Sequence, residues 1–178
     1  LEEIFPKQDL FGWTVGGLEI IGLLRSENTI LVVILMLFAG TLASKWKDRH
    51  ILVGSCLLFV AGYAIISYTD NMWLLIIAMA AASFAEVVRV PVQQNYLAHL
   101  PPEQSRSSYL AVDALTYNLS LLISSVTVTL SAFLPAIGTS LLITAVAGVG
   151  VLILAILAPA LDKRVEDEGK RLQDIKAG

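Results

Sequence analysis

Ser83, Glu86, Arg89, Gln93 and Tyr96 follow one another at steps of three, three, four and three, a spacing that stacks polar side chains along one face of a helix. The run that carries them, Met72 to Leu97, is otherwise almost wholly apolar. At ~1.5 Å rise per residue, Glu86 lies about 20 Å inward of Trp73, at or past the midplane of a hydrocarbon core roughly 30 Å thick. An ionisable group at that depth faces a bundle interior or a watery cavity and marks a path for protons or solute. Two readings stand. Glu86 and Arg89, three residues apart, are within reach of a structural ion pair, with Arg89 extending toward the membrane surface. Alternatively both line a polar pathway, in which Glu86 handles a proton or a cation. Desolvation would raise its pKa for that task, and a neighbouring guanidinium would oppose the shift. Pro91 removes one helical hydrogen bond close by, so a kink and exposed carbonyls are predicted there.

A second constellation is a stripe. Asp113, Tyr117, Ser120, Ser124, Thr127 and Ser131 recur at intervals of four, three, four, three and four, one polar line down a whole helix. Lipid is not expected to face it. Small hydroxylated residues suit a helix packing seam, and they equally suit the wall of a pathway. Asp113, near one mouth, fits a capping or gating role better than binding. Asn118-Leu119-Ser120 matches the glycosylation pattern, but inside a span it is read as chance.

Other chemistries find no support. His50 and His99 stand alone, no H-E-x-x-H, phosphate-cradling loop or cysteine pair occurs, and Cys56 is the single cysteine. No enzyme, metal site or cofactor is expected. The net charge is -3 and the basic residues are scattered, which argues against nucleic acid as a partner.

The elements that position these residues are membrane spans. Hydrophobic residues make up 56% of the chain and charged ones 15%, against about 25% charged in soluble domains, and the mean hydropathy is +0.75. Five spans are predicted, at about 29–45, 51–68, 72–98, 108–133 and 139–161, the first helix starting near Arg25 because its apolar part is short. The fold class is therefore all-α, a polytopic transmembrane bundle. The second and fifth spans are apolar nearly all round and are expected to face lipid. Lys45, Lys47 and Arg49 crowd the first connection and Arg106 lies in the third, while the turns at 69–71 and 134–138 lack Lys and Arg. That alternation puts the basic connections and the 162–178 tail in the cytoplasm and Leu1 outside. Residues 1–28 read as an external loop or interfacial segment, with a hairpin or short surface helix and with Phe11 and Trp13 at the interface. The tail alternates acids and bases and reads as solvated.

Two motifs carry a family resemblance. Gly40-Thr41-Leu42-Ala43-Ser44-Lys45-Trp46-Lys47-Asp48-Arg49 resembles the loop signature G-x-L-a-D-R-x-G-R-[RK] of the major facilitator superfamily, in the copy between helices eight and nine. Ser44 stands for the acid, Lys47 for the glycine and Asp48 for a basic residue. Glu86, Pro91 and Gln93, with Pro102-Glu103-Gln104-Ser105-Arg106-Ser107-Ser108-Tyr109 after them, resemble the helix-ten to helix-eleven region of that superfamily's bacterial drug:proton antiporters. The resemblance implies that the spans are helices eight to twelve, the chain being the C-terminal part of a longer transporter in a bacterial cell membrane. It further implies that helix ten lines the central cavity, eight and eleven form the interface between halves, and nine and twelve face lipid.

The resulting expectation is proton-coupled efflux of a small amphipathic or cationic solute by alternating access, with lipid, protons, solute and the missing N-terminal half as partners. Glu86, Arg89, Gln93 and Tyr96 would serve the pathway, and Gly40, Lys45, Lys47, Asp48, Arg49, Arg106 and Asp113 a cytoplasmic gate. The alternative is a five-span membrane scaffold or partner subunit with no transport of its own.

Overall fold

The computed structural model describes residues 6–10, 12–43, 46–99, 101 and 105–177. Two short antiparallel strands, β1 (Gln8–Leu10) and β2 (Trp13–Val15), precede six helices: α1 (Gly17–Met36), α2 (Ala39–Ala43), α3 (Asp48–Tyr68), α4 (Met72–His99), α5 (Arg106–Ser131) and α6 (Ala136–Ala177). Leu10 pairs with Trp13, and Gly12 at the tip takes a φ of 88°, which only glycine adopts freely. Four of the described helices are long and apolar enough to cross a membrane: Asp48–Tyr68, Met72–Ala98, Arg106–Leu130 and Ile137–Asp167.

Helix α1 starts at Gly17, well before the expected Arg25, so residues 17–28 are helix, and among the described residues before them the hairpin is the regular structure. The Glu19 carboxylate accepts the Gly16 N–H at 3.1 Å, which satisfies one orphan donor in a first turn where the helix dipole favours negative charge. Twenty residues at ~1.5 Å each reach about 30 Å, the depth of a bilayer core. Arg25 and Glu27 interrupt the apolar pattern and hid this length from a sequence reading.

Helix α4 is the axis of the bundle. It packs against α1, α2 and α3 and touches α6, and it supplies Met72, Leu75, Ser83 and Val87, four of the most deeply buried side chains. At one end these meet Val15, Ile20, Leu24 and Ile66 in a single apolar cluster. Ile20 and Leu24 therefore lie beside the first turns of α4, and α1 and α4 run in the same direction. The Gln8 amide locks the same end: it donates to the Asp70 carbonyl at 2.6 Å and accepts the Met72 N–H at 3.3 Å. Asn71 caps α4 by accepting from Leu74 N–H at 3.2 Å.

Helix α3 departs from its predicted lipid-facing place. It lies between α4 and α6 and buries Ile51, Leu52, Ser55, Gly62 and Ile66. Gly62 makes this possible, since a Cβ there would sit 2.9 Å from the Ala78 carbonyl oxygen and 3.2 Å from the Ala82 Cβ. The fully apolar periphery is α6, where Ala158 is the buried hydrophobic side chain. Helix α6 also continues through the predicted solvated tail. Leu161 and Val165 pack against the cluster of Ile51, Leu52, Val92 and Tyr96, so the first turns beyond the span belong to the bundle. Farther along, Lys170 and Glu166 pair at 2.7 Å, fully in solvent, as i,i+4 partners do.

Candidate functional site

The polar face of α4 turns as it descends. Each step of three residues falls about 60° short of a full turn at 3.6 residues per turn, so two such steps from Ser83 to Arg89 swing the face by about a third of the circumference. The structure resolves the predicted single stripe into two sites on opposite flanks of α4.

The first flank meets α1 and α3. Ser83 is completely buried; its hydroxyl donates to Asn28 Oδ1 at 2.6 Å and also lies 2.9 Å from the Met79 carbonyl. Glu27, beside Asn28, holds a buried carboxylate oxygen with no hydrogen-bond partner among the described residues. One turn beyond Ser83, Glu86 is half-buried. Glu86 of α4, Arg25 of α1 and Tyr63 of α3 belong to the three helices that meet here. Arg25, Glu27, Asn28 and Tyr63 were missed by sequence reasoning. The available signal was a cluster of three polar residues inside a stretch that otherwise reads as a span.

The second flank meets α3, α5 and α6. Arg89 lies over the Phe59 ring, its guanidinium carbon 5.6 Å from the centroid, a cation–π contact that partly replaces lost hydration. Its Nε is buried without a partner among the described residues. Phe59 and Tyr63 stack one turn apart with centroids 4.7 Å apart, so Arg89 meets one ring of an aromatic pair on α3. Among the described residues Glu86 and Arg89 form no salt bridge; the recorded ion pair is Lys170 with Glu166. The predicted structural pair is thus not formed among the described residues; Arg89 is turned onto the Phe59 ring instead.

Arg89, Gln93 and Tyr96 line a cavity of about 420 Å³ with Asp113 and Tyr109 of α5 and Arg164 of α6. Leu52, Leu97, Leu154 and Leu161 complete its walls. Two guanidinium groups and one carboxylate line this cavity, so its charged lining carries a positive excess. The Tyr96 hydroxyl donates to Asp162 of α6, and the adjacent Asn95 amide donates to Asp48 of α3 at 2.8 Å. These bonds tie α3, α4 and α6 at one end of the cavity.

Asp48 is therefore the member of the loop motif that the structure connects to the site. Arg49 donates to His50 at 3.3 Å, Lys47 and Gly40 are exposed, and Lys45 lies outside the described residues. Arg106 is exposed at the start of α5. Of the α5 stripe, Asp113 reaches the cavity; Tyr117, Ser120 and Ser124 are exposed and Thr127 is half-buried. Ser120 and Thr127 donate to carbonyls of their own helix at 2.7 and 2.9 Å, so no described helix seals the predicted seam. Asp162 was missed because charge alternation reads as solvated tail.

A bundle of long apolar helices that holds half-buried Glu86 and Arg89 between them, beside a cavity lined by Arg89, Asp113 and Arg164, defines a multi-pass membrane protein with polar groups in its interior. The chain belongs to the Major Facilitator Superfamily, whose family model matches residues 4–177. That family comprises membrane transport proteins rather than enzymes. The chain is 30% identical over 138 residues to a protein of Planococcus maritimus named Na(+), Li(+), K(+)/H(+) antiporter; the match covers 75% of this chain and 32% of that protein. The chain thus spans about a third of the length of this curated relative. No solved structure gives a significant match.

Proposed function

We propose that the chain forms part of a secondary active transporter that exchanges protons for a small cationic solute by alternating access. The observation that carries this reading is Glu86: a half-buried carboxylate at mid-span with no ion pair or hydrogen bond among the described residues. Its charge is unspent on structure, and its position makes it the group on which a proton and a cation compete. The antiporter named among its relatives exchanges cations for protons, which supports the coupling. The resemblance of Glu86, Pro91, Gln93 and the 102–109 segment to drug:proton antiporters supports an amphipathic organic cation, hence drug efflux, as the solute class, with inorganic monovalent cations as the competing one. In this scheme the cavity is a gate: Arg89 and Arg164 form a cation barrier that Asp113 relieves, and Arg106 and the Lys45 to Arg49 loop flank its mouth. Helices α4 and α5 would work against an N-terminal half related to this one.

The test is proton movement in vesicles holding the intact protein with an imposed pH gradient. Adding sodium, potassium or a lipophilic quaternary ammonium should dissipate the gradient in proportion to folded protein. An unchanged gradient with all three defeats the proposal, and a response to the inorganic ions alone assigns the solute class. Topology is checked separately: with Cys56 replaced, cysteines at Lys47 and Ser105 should react with an impermeant thiol reagent from the cytoplasmic side, and those at Asp70 and Ala136 from outside. Outside labelling at Lys47 overturns the orientation.

A further inference from the structure

A second cavity lies on the flank of α3 away from α6. It is a furrow of about 240 Å³ between α3 and α4, lined by Trp46, His50, Ile51, Gly54, Leu58 and Phe84, with Ser55, Ala85 and Val88 completing it. Its α3 wall follows one helix face, since positions 50, 51, 54, 55 and 58 share a side at helical spacing. From His50 to Leu58 it extends about 12 Å at ~1.5 Å per residue. The floor is open: a Cβ built on Gly54 meets nothing within 4 Å. Trp46, Leu58 and Phe84 stay substantially exposed, so the furrow opens outward, to the bilayer in a multi-pass protein.

The two ends of the furrow differ in chemistry. Its body is apolar, whereas its mouth holds His50, with Arg49 bonded to it at 3.3 Å and the exposed Lys47 beside them. The one acid at this turn, Asp48, accepts from Asn95 of α4 and offsets only part of the charge of Lys47 and Arg49, so the mouth keeps a positive excess. The positive end of the α3 dipole lies at the same level. An apolar trough of this depth beneath a cationic rim matches one class of molecule: an amphiphile with an anionic head and a hydrocarbon tail. Basic pockets at the ends of spans hold anionic lipid headgroups by the same physics.

We infer that this furrow is a binding site for an anionic glycerophospholipid, with the phosphate at Arg49, His50 and Lys47 and the upper part of one acyl chain along Gly54, Leu58 and Phe84. The site lies on the other side of α3 from the Arg89 cavity, although the loop that supplies Lys47 and Arg49 also borders the gate proposed above. Its occupancy would fix the angle between α3 and α4 at the end where Asp48 and Asn95 join them.

Photoreactive lipids test this in the intact protein. Phosphatidylglycerol with a diazirine in its acyl chain, reconstituted at low mole fraction in phosphatidylcholine, should crosslink to Leu58, Phe84 or Val88. The same label on phosphatidylcholine should do so several-fold less. Arg49→Gln with His50→Gln should abolish that preference while leaving a low, headgroup-independent signal, and Gly54→Leu should suppress labelling by both lipids. Should Gly54→Leu fail to fold, the charge variant alone decides. Equal labelling by the two lipids in the wild type overturns the inference, as does labelling absent from the furrow, which would mean that protein covers it. Neither outcome touches the pH-gradient assay, so failure here is distinguishable from failure of the transport reading.

Discussion

Glu86→Gln is expected to reduce proton-driven cation exchange to the level of empty vesicles while leaving the folded yield and thermal stability near wild type. Glutamine keeps the size and hydrogen-bonding capacity of the side chain but neither releases a proton nor carries a charge. Because Glu86 holds no ion-pair partner among the described residues, the substitution leaves no opposite charge stranded. Removing a half-buried charge costs little stability and relieves some desolvation. Arg89→Met has a different expectation. It removes a guanidinium that contacts Phe59 and the cavity, and so alters the gate, yet it restores nothing in the Glu86→Gln background. A double variant that transports like wild type would show that the two residues serve only each other, contrary to the absence of a salt bridge between them among the described residues.

Gly62→Leu should have the largest effect on folding. The new Cβ alone meets a backbone carbonyl oxygen at 2.9 Å and a methyl group at 3.2 Å, and the carbonyl belongs to a helix that cannot yield locally. Helices α3 and α4 must separate, which costs roughly 1–3 kcal/mol for overpacking. Separation also opens the cluster that Ile66 shares with Met72, Leu75 and Met79. Gly54→Ala on the same helix provides the control. Nothing lies within 4 Å of its Cβ, so the change should be neutral or stabilising by about 0.5–1 kcal/mol. Thermal unfolding in detergent separates the two, and a Gly62→Leu protein melting with the wild type would refute the close approach.

The residues explain which parts of this molecule were readable from sequence. Spans α3 to α6 are legible because lipid demands long uninterrupted apolar runs, and their short turns carry clear signals such as Asn71 and Pro135. Helix α1 was largely missed because Arg25, Glu27 and Asn28 break its apolar pattern, and their tolerance depends on Ser83 and Tyr63 of other helices. Glu86 and Arg89 stand out by type and depth, but spacing alone does not show that Arg89 turns onto Phe59 rather than onto Glu86. Asp48 and Asp162 look like loop and tail charges. Each becomes structural through a bond to Asn95 or Tyr96, which lie far away in sequence and adjacent to each other on α4. The polar stripe of α5 was legible as a stripe, whereas its partner is not among the described helices.

The central claim is that protons and cations compete for Glu86, and direct proton release tests it without a membrane gradient. Purified intact protein in weakly buffered detergent is titrated with the cation that discharges the vesicle gradient, while a pH indicator reports released protons. Wild type should release protons as it binds the cation, close to one per cation when the titration starts from the protonated protein. Glu86→Gln should bind weakly and release none. Undiminished release by Glu86→Gln would place the exchangeable proton elsewhere and contradict the account.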